Sequence, residues 1–400
     1  MKRNAVLLLV STSLGAVAAL FACINEHARP VVDGGMMSTS IACVSGGPGN
    51  FPNPMCDPSD NTCPNGPSSS CPTCGQCPIA TQCGNPSTCL AMGDNSTKAT
   101  WDFRLRRLWI TDPANLTSGV IEGSTGVITK GIDLAQTQCG DQGTGAFNWL
   151  LRVDPTGSTL TTGGAPPSGD PFNVGYCFYN HVLVGADGGG NHDITPAQVS
   201  LTFDDAGAFT TSPIALLNVP VFLSPDGGAG DPGNVIILPL RNAVLKQASI
   251  SNDNDCIGSY NAIAVADGGG PQGEACFVND PSSCSKWHTA GLLGAVMTLE
   301  DADSVPLSIL PVSLCVLLTG TQPDPVTHGC MRDGNNNIIA QGDYCSTTGM
   351  PGGCADSFWL AATFAASAVT INDGSTEPTC QGVSDGGMDA GTDASDAASD

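Results

Sequence analysis

The cysteines constrain this chain more than any other feature. There are nineteen in 400 residues, unevenly placed. Eight crowd the 47 positions from Cys43 to Cys89 (Cys43, Cys56, Cys63, Cys71, Cys74, Cys77, Cys83 and Cys89). Ten more follow at Cys139, Cys177, Cys256, Cys276, Cys284, Cys315, Cys330, Cys345, Cys354 and Cys380, and Cys23 stands apart behind an apolar run. Setting that lone member aside leaves eighteen, an even number that an oxidising compartment can pair. Residues 43–92 hold too much Pro and Gly for a helix or long strand and too little apolar mass for a core, so cross-links must restrict their unfolded state. Two self-contained sets are expected, four bridges in this stapled module and five in residues 93–380, with connectivity left open.

The N-terminus speaks to compartment. Lys2 and Arg3 precede an uncharged apolar run over 5–21 and a small Ala22, the layout of an export leader too short for a comfortable membrane span. Leu20-Phe21-Ala22-Cys23 resembles the lipobox of bacterial lipoproteins, with Phe21 as a departure where small or polar residues are commoner. That resemblance implies cleavage after residue 22, diacylation of the Cys23 thiol and attachment to a membrane through lipid. Ile24, in place of an aspartate, implies transfer to the outer membrane, facing the periplasm or the cell surface. Ordinary leader cleavage with one spare thiol is the alternative. Residues 23–42, with Pro30 and Asp33-Gly34-Gly35, read as a flexible tether.

Charge then removes one class of function. The formal net charge is −24, and loss of Lys2 and Arg3 with the leader deepens it to −26. Nucleic-acid binding draws its affinity from Lys and Arg neutralising phosphates, so no nucleic acid is expected among the partners. Most aspartates sit beside Gly, Asn or Ala, which is turn chemistry. Residues 381–400 repeat Asp-Gly-Gly and Asp-Ala with almost nothing to bury, and a disordered acidic tail is expected there. The Asp-Gly-Gly and Asp-Ala-Gly runs at Asp33, Asp187, Asp226, Asp267 and Asp385 resemble the habit of exported lipoproteins of the bacterial, myxobacterial type. That resemblance covers the leader, the linkers and the general texture, and it implies no chemistry.

Between residues 101 and 380 short apolar segments recur between turn clusters. Strand-length runs fall at 103–110, 126–134, 147–153, 175–184, 199–203, 219–223, 235–240, 243–250 and 292–299. Residues 307–318 continue the series as buried strands, as do 337–340 and 358–371, although the alanines of the last would also suit one helix. The expected fold class is mainly β: a β-sandwich or jelly-roll-like domain preceded by the small disulfide-rich module.

Several constellations could carry chemistry. Cys71-Pro-Thr-Cys74-Gly-Gln-Cys77 has the spacing of metal knuckles, but the oxidising compartment and the lack of a second paired knuckle favour disulfides. Asp333, Asn335 and Asn337 alternate like the oxygen ligands of a calcium loop, with Asp343 following. Ile338 and Tyr344 stand where such a loop wants glycine and a bidentate carboxylate, and a tight turn between Met331 and Ile338 is the preferred reading. The oxygen-rich runs 252–255 and 301–303 keep a structural calcium ion among the candidates. His181 and His192 bracket an Asp-Gly-rich loop; in a hairpin they would oppose each other, with Asp193 as a third ligand, and the alternative is a pair of surface residues.

For catalysis, Gly-x-Ser-x-Gly, His-Glu-x-x-His and a phosphate-binding Gly loop are all absent from the sequence. Ser283-Cys284-Ser285-Lys286 has Ser-x-x-Lys spacing without the companion motifs. The neighbouring acids Asp204 with Asp205, and Glu300 with Asp301, point to opposite faces of a strand and cannot form a glycosidase dyad alone. Arg104, Arg106 and Arg107 are the densest basic cluster, and Arg106-Arg107 breaks the strand alternation, which predicts a bulge; pairing with aspartates is their expected role. Trp101, Trp109, Trp149, Trp287 and Trp359 could supply a sugar-stacking platform or core. The sequence thus leans away from an enzyme, towards a lipid-anchored binding or structural component with a carbohydrate or protein ligand. A calcium-assisted lectin-like module and a secreted hydrolase with a dispersed site are the alternatives.

Overall fold

The computed structural model describes residues 47–52, 89–117, 127–136, 141–184, 191–222, 235–260, 287–307 and 310–372. The segments expected to be leader, tether and disordered tail, together with Cys23, most of the cysteine-crowded stretch and Ser283-x-x-Lys286, lie outside them.

The fold is mainly β. Its principal elements are β1 (Trp101–Asp112), α1 (Val127–Ile132), β2 (Asn148–Asp154), β3 (Thr159–Ala165), β4 (His181–Val184), β5 (Asn191–Ile194), β6 (Ala197–Phe203), β7 (Ala208–Thr211) and β8 (Ile214–Phe222). They continue as β9 (Val235–Lys246), β10 (Ala248–Ser249), β11 (Gly291–Thr298), α2 (Leu299–Asp303), α3 (Leu314–Thr319) and β12 (Ser357–Ala368). Among the described residues one antiparallel sheet runs β8-β9-β11-β12-β1-β2-β3-β6-β7-β10. Its last strand, β10, is the continuation of its second, β9, past Gln247, whose φ is +52°. The Thr211 hydroxyl of β7 donates to Leu245 O and accepts from Leu245 N (3.0 Å), so the two ends of the path meet and the sheet curls. Across the curl β3 lies against β8: a Cβ on Gly164 would come within 2.3 Å of Pro220.

The inner face is one large apolar cluster. Leu360, Ala362, Phe364 and Ala366 alternate inward along β12, facing Phe103, Leu105, Leu108 and Ile110 of β1 and Leu293, Ala295 and Met297 of β11. Leu105 and Leu108 are three apart, so strict alternation cannot send both inward. The register slips by one residue between Leu105 and Arg107, a bulge at Arg106 that restores the inward phase. The 358–371 run is therefore strand, with its alanines split between the two faces.

Residues 235–250, read as two strands, are essentially one. β9 carries a bulge between Arg241 and Val244, where Asn242 has φ +49°. Pro239, which has no N–H to donate, falls where β9 pairs with β8 but not β11. Three strand expectations fail, among them 337–340, where only Ile338 is bridged, to Arg332; 175–184 is strand only at His181–Val184. In 126–134 the helix α1 replaces a strand: Ile128 and Ile132, four apart, share one helical face over the core, a face a strand would have shared with Lys130. Among the described residues of 307–318, only Leu307 and Val312-Ser313 are extended. Ser313 then caps α3, its hydroxyl accepting from Val316 N, and Leu314 to Leu318 are all buried.

The disulfides overturn the expectation of two separate sets. Cys89, last of the crowded eight, is bonded to Cys256, 167 residues away. Cys315–Cys330 and Cys345–Cys354 close short loops, and Cys177 is also disulfide-bonded.

Candidate functional site

Among the described residues, the sheet's outer face carries a layer of buried polar and aromatic groups. Because Arg106 sits in the bulge, Arg104, Arg106 and Arg107 all serve this face, and all three are buried. Arg104 is fully buried. It donates to Asn148 Oδ1 (2.6 Å), Ile132 O (2.6 Å), Leu105 O (3.1 Å) and Phe147 O (3.3 Å), and its guanidinium lies 5.7 Å from the Tyr176 ring centroid. Arg106 stacks 4.8 Å over the Trp287 ring; Arg107 stacks 5.0 Å over Trp109 and donates to Trp287 O (2.9 Å). A guanidinium cannot shed its proton here, so it is accommodated by carbonyl dipoles and ring faces. Burial pushes the Tyr176 hydroxyl above its usual value, against the opposing pull of Arg104 and Arg106.

Small residues let chain segments settle on this layer. Ala365 and Ala368 of β12 form a cluster with Cys89, Leu90, Ala91, Cys256, Tyr260 and Trp287, and Ser367 Oγ donates to Cys89 O. The Cys89–Cys256 bond fastens that segment. Asn95 extends the contact: its Nδ2 donates to Asn254 O (2.9 Å) and Asp102 O (3.2 Å), and its N–H reaches Asp255 Oδ1 (2.7 Å). Asp255 is held above the ordinary carboxylate value by burial first, with the Asp253 and Asp94 charges adding to it and the Asn95 N–H opposing. A second segment docks nearby. Phe51 packs edge-on against Trp359 (centroids 5.9 Å), Trp359 Nε1 donates to Asn50 O (2.8 Å), and Lys246 lies 5.0 Å from the Phe51 ring. Gly294 makes the slot, since a Cβ there would come within 2.7 Å of both rings.

Carbonyl oxygens, Asn148 and ring faces are the described partners of the three arginines. Asp102 takes Arg152 in two bonds (2.6 and 3.0 Å). The other acids serve elsewhere. Asp301 binds Arg241, while Glu300 (2.7 Å) and Asp303 (2.8 Å) share Arg332 around α2. Asp204 Oδ1 accepts from Ala206 N and Ala208 N and closes a hairpin turn.

The candidate calcium residues Asp333, Asn335 and Asn337 share one tight turn. Asp333 Oδ1 accepts from the N–H groups of Asn335 and Asn337 (both 2.9 Å), and the turn closes between Met331 and Ile339. Asp343 is engaged elsewhere, accepting from Trp359 N (3.0 Å). β4 and β5 do form a hairpin, but its register sets His181 opposite Ile194 and His192 opposite Leu183, with Asp193 opposite Val182. The histidines are thus two positions out of register. Trp149, Trp287 and Trp359 are buried, leaving Trp101 and Trp109 half-buried; Trp101 packs on Phe203 at the rim of the inner core (centroids 6.3 Å). Among the described residues two groups of ligand-type side chains lie close enough to share an ion, Asp303 with Cys315 and Cys330, and Cys345 and Cys354 with Asp356. In both the sulfurs are bonded to each other.

Phe51, Asn95 and Gly294 had no motif to announce them, and their role follows from contacts across more than a hundred residues. No protein-family model matches the chain, and neither a curated protein nor a solved structure matches it.

Proposed function

We propose that this chain is a lipid-anchored surface protein of the bacterial outer membrane, acting as a binding or structural component without catalysis of its own. The observation that carries this reading is covalent. A protein that ties residue 89 to residue 256 and closes two further loops with disulfides relies on an oxidising compartment. Export past the inner membrane supplies one, and the leader ending at Ala22-Cys23 supplies the route. Two packed segments ahead of the sheet suit a domain presented away from its anchor. The finer architecture we assign is a jelly-roll-like sandwich made by the curl that sets β3 against β8.

The test is to express the full chain and a Cys23→Ser variant in a bacterial host with labelled fatty acid. The reading expects label and outer-membrane fractionation for the parent, and a soluble, unlabelled product for the variant. An unlabelled parent, or one in the cytosol with reduced thiols, overturns it.

A calcium-assisted, carbohydrate-binding role is the second reading. It draws on the meeting of Asp94 and Asp253 near Asp255, where the nearby cation is Lys98. A melting temperature unmoved by millimolar calcium or by chelator would remove it.

A further inference from the structure

The three bridges with both sulfurs described are not equivalent. Cys89, Cys256, Cys315 and Cys330 are all at most 2% exposed, and Cys345 is 1% exposed, but Cys354 is exposed. The Cys345–Cys354 bond closes a short hairpin in which Tyr344-Cys345 pairs with Met350-Pro351. It sits at the sheet's margin, joined to β12 through the Tyr344–Ser357 pair. Gly352 and Gly353, just before Cys354, both have left-handed φ (+71° and +72°), so the turn carrying the outer sulfur takes its course without side-chain strain. Thr347 Oγ1 lies 3.3 Å from Cys345 Sγ and 3.8 Å from Cys354 Sγ. The Asp356 carboxylate is within 4.8 Å of both sulfurs. It accepts from the Ser346 N–H (2.8 Å) and hydroxyl (2.7 Å), with the Ser357 side chain and its own N–H also engaged, so its orientation is fixed and a metal would replace one of these donors.

We propose that this hairpin is a redox-gated metal site: a thiol-accessible disulfide that, once reduced, binds a thiophilic divalent cation such as zinc through Cys345, Cys354 and Asp356. An external dithiol is the reductant. Its thiolate attacks the exposed Cys354 sulfur, the Cys345 thiolate leaves towards the Thr347 hydroxyl, and the reagent's second thiolate resolves the mixed disulfide. The reagent ends as a disulfide; its two electrons and two protons end on the two cysteines. Metal binding then displaces both thiol protons. Two thiolates and a carboxylate repel one another at this spacing, and a divalent ion neutralises most of that charge. Zinc about 2.3 Å from each sulfur holds them about 3.8 Å apart in tetrahedral geometry, which the hairpin reaches by opening. Three protein ligands leave a fourth position for water.

The test uses the full-length protein, briefly reduced with dithiothreitol, desalted, then either alkylated and mapped by mass spectrometry or titrated with cobalt(II). Alkylation should appear at Cys345 and Cys354 while Cys89, Cys256, Cys315 and Cys330 stay protected. Cobalt should give thiolate charge-transfer absorption at one equivalent above the Cys345→Ser/Cys354→Ser double variant, which serves as the blank for every other thiol. Asp356→Asn should weaken the affinity by at least roughly tenfold, since losing a direct ligand costs no less than losing a group that merely supports one. Earlier alkylation at a buried bridge overturns the gating, and a cobalt spectrum equal to the blank's overturns the site.

Discussion

The two faces of the curled sheet are held by different physics. Inside, aliphatic and aromatic side chains interlock around a cavity of about 30 Å³ lined by Leu108, Ile110, Trp149, Val221, Leu293 and Leu360, among others, with no polar atom at its surface. Such packing is non-directional and accepts exchanges that conserve volume. Outside, one long-range disulfide and the Asn95 hydrogen bonds hold residues 89–98, the Phe51–Trp359 stack holds residues 47–52, and three buried guanidiniums bind carbonyls and ring faces of the layer beneath. Those contacts are directional, and a missing partner leaves a buried polar group unsatisfied. The sheet thus gets its stability inside and its specific attachment of chain segments outside.

That contrast can be broken most severely at Arg104. Arg104→Met keeps much of the volume but strands Asn148 Oδ1 and the Ile132 and Phe147 carbonyls, and should destabilise by about 3–5 kcal/mol in denaturant unfolding. The inner exchange Leu360→Met should cost less than about 1.5 kcal/mol. Equal losses would erase the distinction. Next comes the Cys89→Ser/Cys256→Ser pair, expected to cost roughly 2–5 kcal/mol because the bond closes a loop of 167 residues. Limited proteolysis should then cut within 89–98 before the sheet yields.

A smaller effect is expected where the second segment docks. Gly294→Ala drives a methyl into Phe51 and Trp359 and should cost about 1–3 kcal/mol, with a change in Trp359 fluorescence as the segment lifts. The smallest effect is a matter of pH. Asp255 has its folded pKa raised, so the stability it contributes is full below the unfolded value and is lost as pH rises through the folded value. Asp255→Asn should therefore raise the melting temperature at neutral pH and leave it unchanged well below pH 4, the ordinary carboxylate range. Asp324 and Asp333, lowered by the N–H groups of their own turns, act with opposite sign and lose their contribution as pH falls.

Much of the sheet was legible in the sequence because its signals are local. Turn clusters of Asp, Asn and Gly delimited β1, β2, β6 and β11 to within a few residues. The Arg106-Arg107 interruption foretold the bulge, and Asp333 to Asn337 foretold a closed turn. Local signals also misled: Ile128 and Ile132 fit a period of two as well as one near four, and only the core beneath decides. What the sequence hid is non-local. Nothing near Cys89 distinguishes it from its seven neighbours, yet it bonds outside them. The outer layer was invisible for the same reason, since Phe51 meets Trp359 across 308 positions, through a slot that Gly294 leaves open.

The decisive observation is a disulfide map of the protein isolated from the cell envelope without reduction. A cross-linked peptide containing Cys89 and Cys256 is expected, disappearing on reduction, with no titratable thiol at either position. Cys89 joined instead to one of the cysteines between 43 and 83, or found free, would contradict the Cys89–Cys256 bond.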